Sequence, residues 1–172
     1  MSQHTFFGHA TMKSIQELFS QTPFIKDSHT PGTSLVLHVS NRLSYLLVVE
    51  IERLLKDNSC LNLASWRALR GLSEIGSSSQ KELVKFANID QGQISRALND
   101  LEKKGFVSAQ PSDRDKRIRI FSITPQGEEY RQKLSPIIDG FHQKLNQALT
   151  DEELESFLTA SAKIAAIVSP KS

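Results

Sequence analysis

Residues 79–130 read SQKELVKFANIDQGQISRALNDLEKKGFVSAQPSDRDKRIRIFSITPQGEEY. Ser79 and Glu82 stand at capping-box spacing, the hydroxyl accepting from the third backbone amide and the carboxylate reaching back, so a short helix is expected over 79–87. Asp90 is a fitting N-cap with Gln93 three residues on, and Gly105 suits the position just past a helix end, which predicts a second helix over 90–104. Projected at 100° per residue, Ile94, Ala97, Leu98 and Leu101 gather on one face of that helix, with Gly92, Ser95, Arg96, Asn99 and Lys103 on the other. The period then shortens: 106–110 and 117–123 are β-prone, and the polar run PSDRDK lies between them, a hairpin with a charged loop. Thr124 next caps a new helix with Pro125 at its first position, where the missing N–H costs nothing.

Short helix, capped helix and charged hairpin follow one another in the order of a winged helix-turn-helix, so the expected fold is mainly α with a small β-hairpin wing. The outer face of the 90–104 helix has what entry into a DNA major groove requires: small residues near its start, then donors and a cation. A polar helix face alone is ordinary solvated surface; the capped helix before it and the basic hairpin after it carry the reading. The candidate DNA contacts are Gln91, Gln93, Ser95, Arg96, Asn99 and Lys103 on the helix and Arg114, Lys116 and Arg117 on the wing, whose tip can reach a minor groove. Asp115, two residues from Arg117, is placed to orient that guanidinium.

Working outward, 35–57 reads as a long helix with a stripe of Leu43, Leu46, Leu47, Ile51, Leu54 and Leu55, and 63–74 as a second with Trp66, Leu69 and Leu72 inward. The helix after Thr124 carries Tyr130, Leu134, Ile137, Ile138, Phe141, Leu145 and Leu149 on one face, with Pro136 expected to kink it. Thr150 and Glu153 form another capping box, and the last helix presents Leu154, Phe157, Leu158, Ser161, Ala165 and Val168. Residues 1–34 form an atypical arm in which Met12, Ile15, Leu18 and Phe19 recur at helical spacing. The domain reading is therefore an arm over 1–34, a DNA-binding lobe over 61–124, and a helical dimerisation region from 35–60 with 125–172. The apolar faces of that region exceed what a small lobe can cover, so a homodimer is expected.

The quoted run resembles the MarR family of bacterial regulators. The ISRALNDLEKKGFV segment, the Asp115-Lys116-Arg117 wing motif and the IT-x-x-G helix start at Ile123–Gly127 carry the resemblance, and the flanking helices extend it over about 35–168. It implies a dimeric transcriptional regulator, most often a repressor, that binds double-stranded DNA at a pseudo-palindromic operator. In it Arg117 enters the minor groove, steadied by Asp115, and Ser95 and Arg96 lie on the recognition helix. It also implies a cleft beside the DNA-binding lobe, with His38, Arg42, Tyr45 and Trp66 as candidates to line it for a small aromatic or phenolic effector. Where the family usually has an arginine at the end of the first wing strand, this chain has Ala109.

Composition narrows the alternatives. The 172 residues include 21 basic and 19 acidic ones, a formal net charge of +2, so any attraction for DNA must come from local clustering. The lone cysteine, Cys60, excludes an internal disulfide framework, fits a reducing compartment and reads as an incidental thiol. The histidines His4, His9, His29, His38 and His142 show no metal-ligand spacing, and no metal or cofactor is expected. Ser78 and Lys81 match the S-x-x-K string by chance, no phosphate-binding glycine loop or nucleophile elbow is present, and an enzyme is not expected. No apolar run approaches the roughly 20 residues of a membrane span, and the N-terminus lacks the pattern of a signal peptide, so a soluble cytoplasmic protein is expected. The rival function is a winged-helix module for protein docking. Surface charge separates the two, because DNA binding requires cations clear of carboxylates.

Overall fold

The computed structural model describes residues 34–168; the helix expected around Met12–Phe19 lies outside them. The chain divides into two units, Met1–Glu50 and Ile51–Ser172. Its elements are α1 (Leu35–Asn58), α2 (Leu63–Ile75), β1 (Ser78–Ser79), α3 (Gln80–Ala87), α4 (Gln91–Lys103), β2 (Val107–Pro111), β3 (Arg119–Ile123), α5 (Pro125–Gln147) and α6 (Asp151–Val168). Mainly helical with a small antiparallel sheet, this is the winged-helix architecture the sequence leads one to expect.

The caps that the sequence announces at Ser79, Asp90, Thr124 and Thr150 are all present, and Asn62 caps α2 as well. Asn62 Oδ1 accepts from the Ser65 amide at 2.8 Å, and Asp90 Oδ1 from that of Gln93 at 2.9 Å. Ser79 and Glu82 close both halves of their box, which lowers the Glu82 carboxyl below its usual range. Thr150 and Glu153 close both halves of theirs at α6. Asn88, in the turn from α3 to α4, takes the left-handed conformation at φ 50°, which Asn tolerates better than most residues.

The sheet has the order β1-β3-β2, with Ala109 opposite Phe121 and Pro111 opposite Arg119. β1 is a strand that sequence reasoning missed. The serine run reads as a break and a cap, yet its Ser78 pairs with Phe121 and is buried.

The core of the second unit joins every layer. Leu55 of α1, Leu69 and Leu72 of α2, Leu83 of α3, Ile94, Leu98 and Leu101 of α4, and Ile138 of α5 are at most 1% exposed. Phe121 closes it from the sheet. Tyr130 stacks on Phe106 at 4.5 Å, and its hydroxyl both accepts from the Cys60 amide and donates to Cys60 Sγ. Burial and that thiol together raise the phenol's pKa. Glu128, in the first turn of α5, is held down to about 2 chiefly by Arg131. α5 is one helix through Pro136.

The join between α4, the sheet and α5 is the tightest part of the fold. Gly105, at φ 73°, ends α4 in a Schellman turn: its amide donates to Glu102 O and the Phe106 amide to Leu101 O. Thr124 then ties α5 to that turn, its amide donating to Phe106 O and its hydroxyl to Gly105 O at 2.7 Å. The same hydroxyl accepts from the Gly127 amide, and a Cβ on Gly127 would sit 2.0 Å from Phe106 O. This accounts for the IT-x-x-G pattern: threonine is needed as cap and anchor, glycine because two backbones touch. Gly127→Ala is therefore expected to destabilise the protein by about 3 kcal/mol or more, since backbone rather than a movable side chain occupies the space. Urea unfolding measures this, and an unchanged midpoint would show that the join yields without cost.

Candidate nucleic-acid interface

α4 turns Ile94, Ala97, Leu98 and Leu101 into the core and leaves Gln91, Gly92, Gln93, Arg96, Asn99 and Lys103 exposed. Gly92 keeps the first turn low, so a partner's surface can approach the backbone closely. The exposed residues do not share one hollow. Gln91, Ser95 and Asn99 line a groove of about 780 Å³ whose other wall is Arg117, Ile118 and Arg119 of the wing. Gln93 and Arg96 line a second hollow of about 480 Å³ on the opposite flank of α4, with Asn62, Arg67, Glu52 and Asp100. Lys103, Arg114 and Lys116 are exposed and belong to neither hollow.

The first groove also contains Gln80, which sequence reasoning passed over, and Lys81, which it noted only as part of a chance S-x-x-K string. Their position just inside a capped helix hid them, since a capping motif explains its own residues. Gln80 Nε2 donates to Gln91 O, tying α3 to the start of α4. Lys81, Arg117 and Arg119 make the groove cationic, and no carboxylate lines it. Among the described residues, no ion pair involves Arg96, Lys103 or Arg114. Lys116 lies 3.4 Å from Asp113.

Asp115 acts first on the loop's own backbone. Its Oδ1 accepts the Arg117 amide at 3.0 Å, and its carbonyl oxygen accepts the Ile118 amide at 2.9 Å. The same Oδ1 stands 3.5 Å from Arg117 Nε, and the Arg117 side chain is 94% exposed. So open a pair constrains the guanidinium little; Asp115 shapes the turn that presents it.

The expected effector residues belong to different units. Trp66 is 4% exposed in the core of the second unit, which corrects its candidacy as a cleft residue: a large apolar side chain in the stripe with Leu69 and Leu72 gains more by burial. His38, Arg42 and Tyr45 lie on the first part of α1, with the Arg42 guanidinium 5.8 Å from the centre of the exposed Tyr45 ring. Cys60 is exposed. Among the described residues, no three of His, Cys, Asp and Glu are grouped to hold a metal ion, and no helix is long and apolar enough to cross a membrane.

A model of the MarR family matches residues 61–118, which run from the turn before α2 to the wing tip. That stretch is similar to a MarR-family domain. Solved structures agree over a longer span. The MarR-family regulator Sco3205 of Streptomyces coelicolor, solved in complex with DNA, is 25% identical with a TM-score of 0.71, covering 84% of this chain and 94% of that one. A MarR-family regulator of Silicibacter pomeroyi is 26% identical with a TM-score of 0.65, covering 80% of this chain and 92% of the other. BpsR of Bordetella bronchiseptica, whose DNA binding is regulated by 6-hydroxynicotinic acid, is 20% identical and shares the fold, with a TM-score of 0.69 over 80% of this chain and 98% of that one. MarR-family proteins are transcriptional regulators, not enzymes.

Arg117 stands almost wholly exposed beside the wing tip, paired only loosely with Asp115. Arg117→Ala should weaken binding to specific and non-specific duplexes alike, and should lower the log–log salt slope by about one unit at most. Titrations at several salt concentrations test this, and an unchanged affinity and slope would remove the wing tip from the interface.

Proposed function

We propose that this protein is a homodimeric DNA-binding transcriptional repressor acting at a pseudo-palindromic operator. The observation that carries the reading is the groove between α4 and the wing, lined by polar donors and by Lys81, Arg117 and Arg119, of which Arg119 is paired with Glu102 and Arg117 only loosely with Asp115. A helix seated in a major groove and a wing over the next minor groove leave the intervening sugar–phosphate strand between them, and that strand needs such a lining. On this reading Gln91, Ser95 and Asn99 meet the strand side of the major groove, while Gln93 and Arg96 face its other side.

Exposed apolar surface supports the dimer. No residue of α6 is buried, and Phe157, Leu158, Ile167 and Val168 are each more than half exposed. On α1, Leu37 and Tyr45 are each 58% exposed, with Val36, Leu43, Leu46 and Val49 also open. Surface of this kind on helices requires a partner, and a second copy is the simplest one. The lobe is then 61–124 and the dimerisation region 35–60 with 125–172. Regulation of BpsR by 6-hydroxynicotinic acid supports a small aromatic acid as effector here, with His38, Arg42 and Tyr45 as its candidate contacts. Its action would be to shift the population of dimers whose recognition helices match the operator. The protein works in the cytoplasm, where its DNA is.

Recovery of bound genomic DNA, followed by titration of the recovered duplex, tests the function. Arg96→Ala should cost about 1–3 kcal/mol on that duplex and relax preference at one position per half-site, with Asn99→Ala doing the same at an adenine. Light scattering at micromolar concentration should give the mass of a dimer. A folded monomer that binds the duplex fully would overturn the assembly, and failure to recover any DNA would favour protein docking.

A further inference from the structure

Two residues at the flank of the groove make a contact that the reading so far has not used. Arg119 begins β3, and Glu102 lies in the last turn of α4. One guanidinium nitrogen of Arg119, Nη2, donates to both carboxylate oxygens of Glu102, at 2.7 and 2.9 Å. The Arg119 guanidinium carbon also lies 5.0 Å from the centre of the Phe121 ring. We infer that Glu102 and Arg119 form a latch that sets the angle of the wing against the recognition helix, making them positioning residues for the DNA contact of Arg117. This rests on the DNA-binding reading above.

Both ends of the latch stand on fixed parts. The carbonyl of Glu102 accepts the Gly105 amide in the Schellman turn, and Phe121 is 3% exposed in the core. Beyond the latch the wing has little support. The last ladder pair is Pro111 with Arg119, and proline has no N–H to donate. β1 pairs only with Ile120 and Phe121, at the base of the hairpin. The bond from the Ser112 amide to Ile118 O and those onto Asp115 close the loop on itself without tying it to a helix. A two-stranded ribbon of this kind twists and bends readily. Arg119 is the residue nearest the tip that grips another element.

The latch also separates the two cations of the groove's outer wall. Arg119 is engaged by Glu102, whereas Arg117, two residues nearer the tip, is almost wholly exposed. Exposed ion pairs contribute little to global stability. Tilting a loose hairpin, however, takes little energy, so a pair too weak to raise the melting temperature can still decide where Arg117 points. Lysine keeps the charge but lacks the flat guanidinium face that lies over the Phe121 ring, so it should hold the contact less firmly.

The test uses Arg119→Lys, which conserves charge, Arg119→Ala, and each combined with Arg117→Ala, in the full-length chain. Arg119→Lys should weaken binding to the recovered duplex by about two- to fivefold with an unchanged salt slope. In the Arg117→Ala background it should have no effect. The latch falls if Arg119→Lys binds like the parent while Arg119→Ala lowers affinity and salt slope in both backgrounds, since Arg119 would then be a phosphate contact in its own right. Backbone 15N relaxation supplies a readout that needs no DNA: Arg119→Lys should lower the order of amides 112–118 and leave those of α4 unchanged. Unaltered wing order would overturn the latch even if the parent bound no DNA, whereas loosened wing amides without DNA binding would leave the latch standing and overturn the DNA reading.

Discussion

The contact of Gly127 with the carbonyl of Phe106 is the constraint on which the rest of the structure depends. At this point the end of the recognition helix, the start of β2, the end of β3 and the start of α5 meet backbone to backbone. Thr124 bonds to both Gly105 and Phe106, and no side chain fits between Gly127 and the turn. A hairpin joined to a helix by a flexible loop could point anywhere. Here it leaves the helix at an angle set by a Schellman turn and a threonine, so recognition helix and wing form one tool at its base. The same join roots α5, the helix through which a dimer partner would act on DNA geometry, in the reading head itself.

Electrostatics follows from sorting rather than from total charge. With a formal charge of only +2, the protein cannot rely on composition to attract a polyanion. Its acids around the reading head are engaged locally instead. Glu82 and Asp90 cap helices, Asp100 pairs with Lys104, Glu102 holds Arg119, and Asp115 bonds the loop backbone. The groove is left with Lys81, Arg117 and Arg119 and no carboxylate. Asp90, at the start of α4, is the exception: it offsets part of the helix dipole, which shifts the burden of phosphate recognition to side chains.

Much of this was legible in the sequence because the signals are local. Caps at Ser79, Asp90, Thr124 and Thr150, the turn at Gly105, and the apolar stripe of α4 all act within a few residues of themselves, and the structure has each of them. What escaped depends on distant partners. The two-residue strand at Ser78–Ser79 exists only because β3 offers an open edge. The Glu102–Arg119 pair spans 17 residues and depends on how the hairpin folds back along α4. Arg96, grouped by projection with Ser95 and Asn99, lies with Gln93 in a hollow on the opposite flank of the helix, because the wing occupies one side only. Trp66 was consistent with both core and cleft, and only packing chose between them. The apolar stripe of α6 was equally readable, but its cover lies on no described residue of this chain.

The most direct test of helix and wing acting as one tool is a hydroxyl-radical footprint of the intact protein on a genomic duplex that it retains. The account predicts two equivalent protected zones about 34–36 Å apart. Each should consist of backbone on both sides of a major groove together with the adjoining minor groove, at a constant offset in the two half-sites. Major-groove protection without the flanking minor-groove signal, or with an offset that differs between half-sites, would contradict it.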